Sequence, residues 1–280
     1  MKPRVFLVAL ALVTLGACAR TTGDVEPDVV TDAVAPVLGD ADVTLPPELS
    51  WSVVAEDRVG GALFSGWANG ADDLWFVGGE LNTPLVCRYD GAEWTLLDPG
   101  TGQQVWWVHG FDAGPVFVVG DAGTIARYED GNWEQMPTGL PGVTLYGVWG
   151  SAPDDLWAVG GPYALADEGH PSQGPSESIP RRTDVLLHFD GFEWTRVELP
   201  ELPERSTAAK SLFKVWGTAA DDVFVVGGGR LILHYDGDAW TVQDAGEGTQ
   251  QLFTVSGRGP DDVWAVGGGA TAVLLHYDGT

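Results

Sequence analysis

Apolar residues along the chain come in short bursts that alternate with polar ones or run briefly, and turn residues cut them every eight to twelve positions. That pattern predicts strands. The bursts repeat. The clearest copy reads Leu212-Phe-Lys-Val-Trp-Gly, then Asp221-Asp222-Val-Phe-Val-Val-Gly-Gly, then Leu231-Ile-Leu-His-Tyr-Asp-Gly, then Trp240-Thr. Five copies align on Trp75, Phe117, Trp157, Phe224 and Trp264, at steps of 42, 40, 67 and 40 residues, so the third copy carries an insertion.

Each copy supplies four strands, and its turns have a chemistry. Proline and aspartate in Ser151-Ala-Pro-Asp-Asp suit a tight link between the first two strands. Asp-Gly at 90–91, 190–191, 236–237 and 278–279, with Asp130-Gly131 one residue later in the second copy, predicts hairpins. Paired glycines at 78–79, 160–161, 227–228 and 267–268 close the second strands, where a side chain would obstruct the turn or a neighbouring backbone. A period near 40 with four strands per copy predicts an all-β chain, a β-propeller of five four-stranded blades. Stacked blades bury large rings between them, so the thirteen tryptophans require no ligand. Trp94, Trp133, Trp194 and Trp240 open fourth strands, and Trp51-Ser-Val-Val-Ala-Glu matches that pattern at the other end of the chain. The expectation is that this N-terminal strand closes the last blade; the rival reading is further blades beyond Thr280.

Lys2 and Arg4 precede an apolar run, residues 5–15, that is short for a membrane span and has the layout of an export signal. It ends in Leu15-Gly-Ala-Cys, which resembles the bacterial lipobox. The resemblance implies cleavage after residue 17, lipid attachment at Cys18 and, with Ala19 following, an outer-membrane lipoprotein. Residues 18–47 are acidic, contain Pro, Ala and Thr and show no period, so they read as a tether ahead of the propeller at 48–280. Besides Cys18 only Cys87 remains, so no internal disulfide forms, and Cys87 reads as an apolar filler of a third strand.

The formal charge is −26, and −28 once Lys2 and Arg4 leave with residues 1–17. Such a surface excludes nucleic acid as a partner and is repelled by anionic lipid, because phosphate binding needs clustered bases. A cationic partner or divalent ions would suit it, although solubility alone explains it. The aspartate pairs 72–73, 154–155, 221–222 and 261–262 read as turn formers, since Gly114-Pro115 replaces the pair in the second copy; no metal or other cofactor is expected. His188, His234 and His276 share a position with Arg88 and Arg127, which rules out ligation there and marks polar groups flanking third strands. Trp67, His109, Trp149, Trp216 and Ser256 end the first strands, where they either pack between blades or ring a channel mouth and stack on a sugar or peptide. No nucleophile elbow, zinc-protease helix, phosphate loop or dinucleotide fingerprint occurs.

The order of an apolar strand, Gly-Gly, a strand ending in Tyr and then Trp resembles the kelch repeat, on Val225-Val-Gly-Gly, His234-Tyr-Asp-Gly and Trp240, over residues 50–280. Asp-Gly-x-x-Trp is also similar to the Asp-box of sialidase-like propellers, though one residue short and without the leading Ser or Thr. The whole series resembles repeats of secreted bacterial lipoproteins of unassigned function. The kelch likeness implies binding or scaffolding rather than catalysis; the copper branch of that family would need a cysteine-linked tyrosine, which Cys87 does not supply. Function then falls on loops. The insertion 161–182 and the link 198–210 lie on one face, with Tyr163, His170, Arg181, Arg182 and Arg205 as candidates beside Trp67, His109, Trp149 and Trp216. The expected role is a membrane-anchored, non-enzymatic module that binds protein or polysaccharide at the cell envelope. The alternative is a glycosidase-like enzyme using acidic residues at the channel mouth.

Overall fold

The computed structural model describes Val53 and residues 61–80, 82–162, 184–204 and 211–279. The proposed signal, Cys18, the tether, the strand at 51–56 apart from Val53, and Tyr163, His170, Arg181, Arg182 and Arg205 lie outside the described residues. Nineteen strands are described, all in one compact unit, and they form five antiparallel sheets, each in plain up-and-down order. Sheet 1 is β1 (Ala62–Ala68), β2 (Leu74–Glu80), β3 (Thr83–Tyr89) and β4 (Trp94–Leu97). Sheet 2 is β5 (Val105–Gly110), β6 (Val116–Gly120), β7 (Ile125–Glu129) and β8 (Asn132–Gln135). Sheet 3 is β9 (Val143–Ala152), β10 (Asp155–Pro162), β11 (Val185–Phe189) and β12 (Trp194–Arg196). Sheet 4 is β13 (Leu212–Ala219), β14 (Asp222–Gly227), β15 (Leu231–Tyr235) and β16 (Trp240–Val242). Sheet 5 has three described strands, β17 (Gln251–Gly259), β18 (Asp262–Gly268) and β19 (Ala272–Tyr277). In the second unit, residues 11–58, only Val53 is described, and it is exposed.

Both faces of each inner sheet are apolar, so the sheets stack face to face through four cores. Trp75, Val77 and Val86 of sheet 1 meet Val105, Val108 and Val118 of sheet 2. Phe117, Val119 and Ile125 of sheet 2 meet Leu145, Val148 and Leu187 of sheet 3, and the same positions recur between sheets 3 and 4 and between 4 and 5. Full burial of one such side chain contributes about 1.5–3 kcal/mol, so these interfaces hold the fold. The first strands pack in series, β1 on β5, β5 on β9, β9 on β13 and β13 on β17. The two end sheets expose the halves of an interface that the inner sheets bury: Trp264 is 40% exposed where its counterpart Trp157 is 4%, and Leu63 is 48% exposed where Leu145 is 0%.

Turn chemistry follows the sequence. Asp90, Asp190 and Asp236 each accept two backbone N–H bonds through Oδ1 at 2.8–3.0 Å, which holds all three carboxyls below the usual range. The glycine that follows has φ near +90°, open to glycine at no steric cost. Each aspartate pair divides its work. A Cβ on Gly91, Gly191 or Gly237 would stand 2.7–3.0 Å from the Cβ of Asp72, Asp154 or Asp221, so the first aspartate seats the hairpin. The second binds the third strand: Arg88 to Asp73 at 3.0 Å, His188 to Asp155 and His234 to Asp222 at 2.7 Å, His276 to Asp262 at 2.9 Å. The histidines therefore do more than flank a strand. Each also lies on the second-strand ring, with centroids 4.2 Å apart for Trp157–His188, 4.3 Å for Phe224–His234 and 3.9 Å for Trp264–His276.

Candidate functional site

Simple alternation along the first strands fails at one place. In β5, Val105, Val108 and Gly110 are buried while Trp106, Trp107 and His109 are half-buried, so two neighbours in sequence face the same way. The register shows why: Val105 pairs with Gly120 and Trp107 with Val119, which leaves Trp106 unpaired in a bulge. The same one-residue shift leaves Phe64, Tyr146, Phe213 and Phe253 unpaired in the other four sheets. Glycine permits it. A Cβ on Gly78, Gly120, Gly160, Gly227 or Gly267 would come within 1.8–2.5 Å of the carbonyl oxygen at the start of the facing strand. Bulges of this kind re-aim a side chain.

Here they re-aim five aromatic rings into one continuous arc. Phe64 stacks on Trp106 at 4.8 Å and 12°, Trp106 meets Tyr146 edge-on at 5.4 Å, Tyr146 meets Phe213 at 5.5 Å, and Phe213 meets Phe253 at 5.6 Å. All five are half-buried, so each keeps part of its ring on the surface. The arc lies at the end of the sheets where second strands turn into third strands, because Asp121, the first residue of that turn in sheet 2, is bonded to it. Trp106 Nε1 donates to Asp121 Oδ1 at 2.9 Å, and Thr144 Oγ1 donates to the same oxygen at 2.8 Å. Asp121 is only 6% exposed, and burial raises its carboxyl above the usual range against the pull of those two bonds. Oδ2 accepts no hydrogen bond from a described residue. At the other end of the arc Arg230, at φ +54°, fixes the link before β17: Nε donates to Gln250 Oε1 at 2.8 Å and Nη1 to the carbonyl of Glu247.

Beneath the arc, Ser65, Trp107, Gly147, Lys214 and Thr254 hold the next position of each strand. Lys214 reaches from sheet 4 past Gly147 of sheet 3 to place Nζ 2.9 Å from the centroid of the Trp107 ring in sheet 2. The first strands thus curve round a common line. Lys214 is 8% exposed, has no carboxylate or hydrogen-bond partner among the described residues, and burial pulls its amine well below the ordinary lysine value. Ser65 Oγ in the same layer is buried and unpartnered.

Of the residues singled out from sequence, Trp67, His109, Trp149 and Trp216 form a third layer, away from the arc. A Cβ on Gly110, Gly217 or Gly257 would touch the ring of Trp67, Trp149 or Trp216 at 2.7–2.8 Å, so each indole packs on the next sheet's strand end. His109 Nε2 donates to the Gly150 carbonyl oxygen, 3.3 Å away; burial and the nearby Lys214 amine lower its pKa to about 4. An open cleft of about 530 Å³ between sheets 3 and 4, lined by Trp157, Leu199, Tyr235 and Trp240, lies at the outer strands. The arc itself escaped the sequence reading. Its signal was an aromatic residue three positions before each member of the set Trp67, His109, Trp149, Trp216 and Ser256: Phe64, Trp106, Tyr146, Phe213 and Phe253.

No family model matches the chain, and no curated protein matches it. Solved structures do. A streptogramin B lyase aligns over 79% of this chain and 70% of its own, at 10% identity and a TM-score of 0.57. An ancestral GH74 enzyme aligns over 78% of this chain at 12% identity and a TM-score of 0.55, but this chain spans only 30% of it. A structure of YCF48 bound to D1 peptide covers 82% of this chain and 81% of its own at 16% identity, with a TM-score of 0.43. The chain has a β-propeller-like fold. At these identities the likeness speaks for the fold alone.

Proposed function

We propose that the chain is a non-enzymatic binding or scaffold module whose aromatic arc takes an extended segment of protein or polysaccharide at the cell envelope. The observation that carries this reading is the arc's continuity: one bulged aromatic from every sheet, at one end, joined ring to ring. Rings held half-exposed by a rigid sheet offer apolar contact at low entropic cost. The lipobox-like terminus supports export and anchoring through Cys18, and the kelch-like order supports binding. The apolar faces left open on sheets 1 and 5 support a closed five-bladed ring, completed by the strand at 51–56. The insertion 161–182 joins the second and third strands of its repeat, as the Asp121 turn does in sheet 2. The test is capture of cell-envelope proteins and glycans by the full chain against Trp106→Ala/Phe213→Ala. A specific partner lost in the double variant supports the reading, and a partner retained sinks it.

One observation favours a second reading. A carboxyl raised by burial, as in Asp121, is what a general acid needs, and glycoside hydrolysis adds a second carboxylate about 5–9.5 Å away. Turnover of an oligosaccharide that disappears in Asp121→Asn would establish it.

A further inference from the structure

Asp121 poses a question that the fold does not answer. It stands where sheets 1, 3, 4 and 5 have the second glycine of their pair, Gly79, Gly161, Gly228 and Gly268, so the turn does not require a carboxylate. It is nine-tenths buried, its Oδ1 is occupied by Trp106 and Thr144, and no basic residue among those described pairs with it. A carboxylate buried without a counter-charge destabilises the free protein. Asp121 Oδ1 meets the Trp106 indole N–H, and that ring packs against Phe64 and Tyr146, so the carboxylate lies at the edge of the arc. Aromatic faces next to an uncompensated carboxylate suit a cation, which gains from the ring quadrupole and the charge together.

We infer that the sheet 2–3 stretch of the arc is a site for the cationic side chain of a basic protein segment, with the guanidinium of an arginine at the edge of Trp106 and donating to the Asp121 carboxylate. The inference rests on the arc-binding reading and names its partner class. Arginine fits better than lysine, because a planar guanidinium stacks on a ring while its N–H groups still reach a carboxylate. The chain's formal charge of −26 steers such a segment toward the surface. Among the described residues the nearest cations do not oppose it: Arg230 lies at the far end with Nε and Nη1 committed to Gln250, Ala245 and Glu247, and Lys214 is turned onto Trp107 in the layer below. A neutral sugar would use the rings and leave the charge uncompensated.

The test is a titration of the full chain with three probes: a hexa-arginine peptide, its hexa-citrulline counterpart and cellohexaose, each at 50 and 150 mM salt. Citrulline keeps the shape and removes the charge, so this arm needs no variant. The arginine peptide binds, the citrulline peptide binds at least tenfold more weakly, and Asp121→Asn and Asp121→Ser each reduce arginine-peptide binding about tenfold with melting temperatures retained. Equal binding of the arginine peptide by wild type and both variants assigns it to the general acidic surface and overturns the inference. Cellohexaose or the citrulline peptide binding as tightly, with loss in Trp106→Ala/Phe213→Ala, overturns the cation site and leaves the arc reading standing. No probe binding, with the double variant also retaining its envelope partners, removes both.

Discussion

Replacing Lys214 by methionine should stabilise the protein, although it deletes the longest side chain of the layer beneath the arc. The amine is buried, without a carboxylate partner among the described residues, and burial is the cause that lowers its pKa. Exchanging buried charged groups for apolar ones of similar volume gains about 1–4 kcal/mol, and the lost contact with the Trp107 face, 2.9 Å from Nζ, offsets up to about 2 kcal/mol. The net expectation is about 1–2 kcal/mol at pH 7, with a melting-temperature rise of about 2–4 °C for each kcal/mol. The sign of the pH dependence follows from the direction of the shift. A folded-state pKa below the unfolded one means that the unfolded chain binds the extra proton between the two, so wild-type stability rises with pH across that window, by up to about 1.4 kcal/mol per pH unit. Thermal melts of wild type and Lys214→Met at pH 6, 7.5 and 9 measure it. The gap between them narrows as pH rises. A destabilised variant, or a gap that does not change with pH, would refute the reasoning.

Gly160→Ala brings a Cβ within 2.1 Å of the Thr144 carbonyl oxygen and removes the room for the Tyr146 bulge, so it costs at least about 3 kcal/mol in denaturant titration, whereas Gly131→Ala, with nothing within 4 Å, costs about 1 kcal/mol from its positive φ alone. Thr144→Val deletes one of the two donors to a buried carboxylate and costs about 1–3 kcal/mol in the same assay. Acid unfolding should come in two stages. His109, lowered to about 4, withdraws stability as pH falls from its unfolded value near 6.5 toward 4, and Asp262, held at about 2 by Arg258 and then His276, withdraws more below its ordinary carboxyl range. His109→Phe should remove the first stage from a pH series of melts. If sheets 1 and 5 close the ring, a cysteine placed at Val266, 37% exposed on the open face of sheet 5, reacts slowly with a thiol reagent; rapid labelling argues for an open face.

Much of this architecture was written in local chemistry. The Asp-Gly hairpins, the glycine that ends each second strand and the near-40-residue step are all decided within a few residues, and the five sheets follow them. The pairing of Asp73, Asp155, Asp222 and Asp262 with Arg88, His188, His234 and His276 crosses adjacent strands and was missed because aspartate pairs and histidines were read as separate features. The arc was hidden for a different reason. A bulge turns two consecutive residues to one face, so Trp106-Trp107 and Phe213-Lys214 break the period of two that sequence reading relies on. Asp121 was hidden in a glycine position, and Lys214 acquires its isolation only through the curvature that brings sheets 2 and 4 together.

The most direct test of the aromatic arc as the binding surface uses the Trp106 indole N–H as its reporter, since its bond to Asp121 ties it to the site. Indole ¹H–¹⁵N spectra of the full chain, with the Trp106 signal identified by Trp106→Phe, are recorded during titration with the captured envelope partner or the hexa-arginine peptide. The account predicts a saturable shift at Trp106 while Trp67, Trp149 and Trp216, in the layer away from the arc, keep theirs. Binding that moves those three, or the Trp157 and Trp240 signals of the outer cleft, and leaves Trp106 unchanged contradicts it.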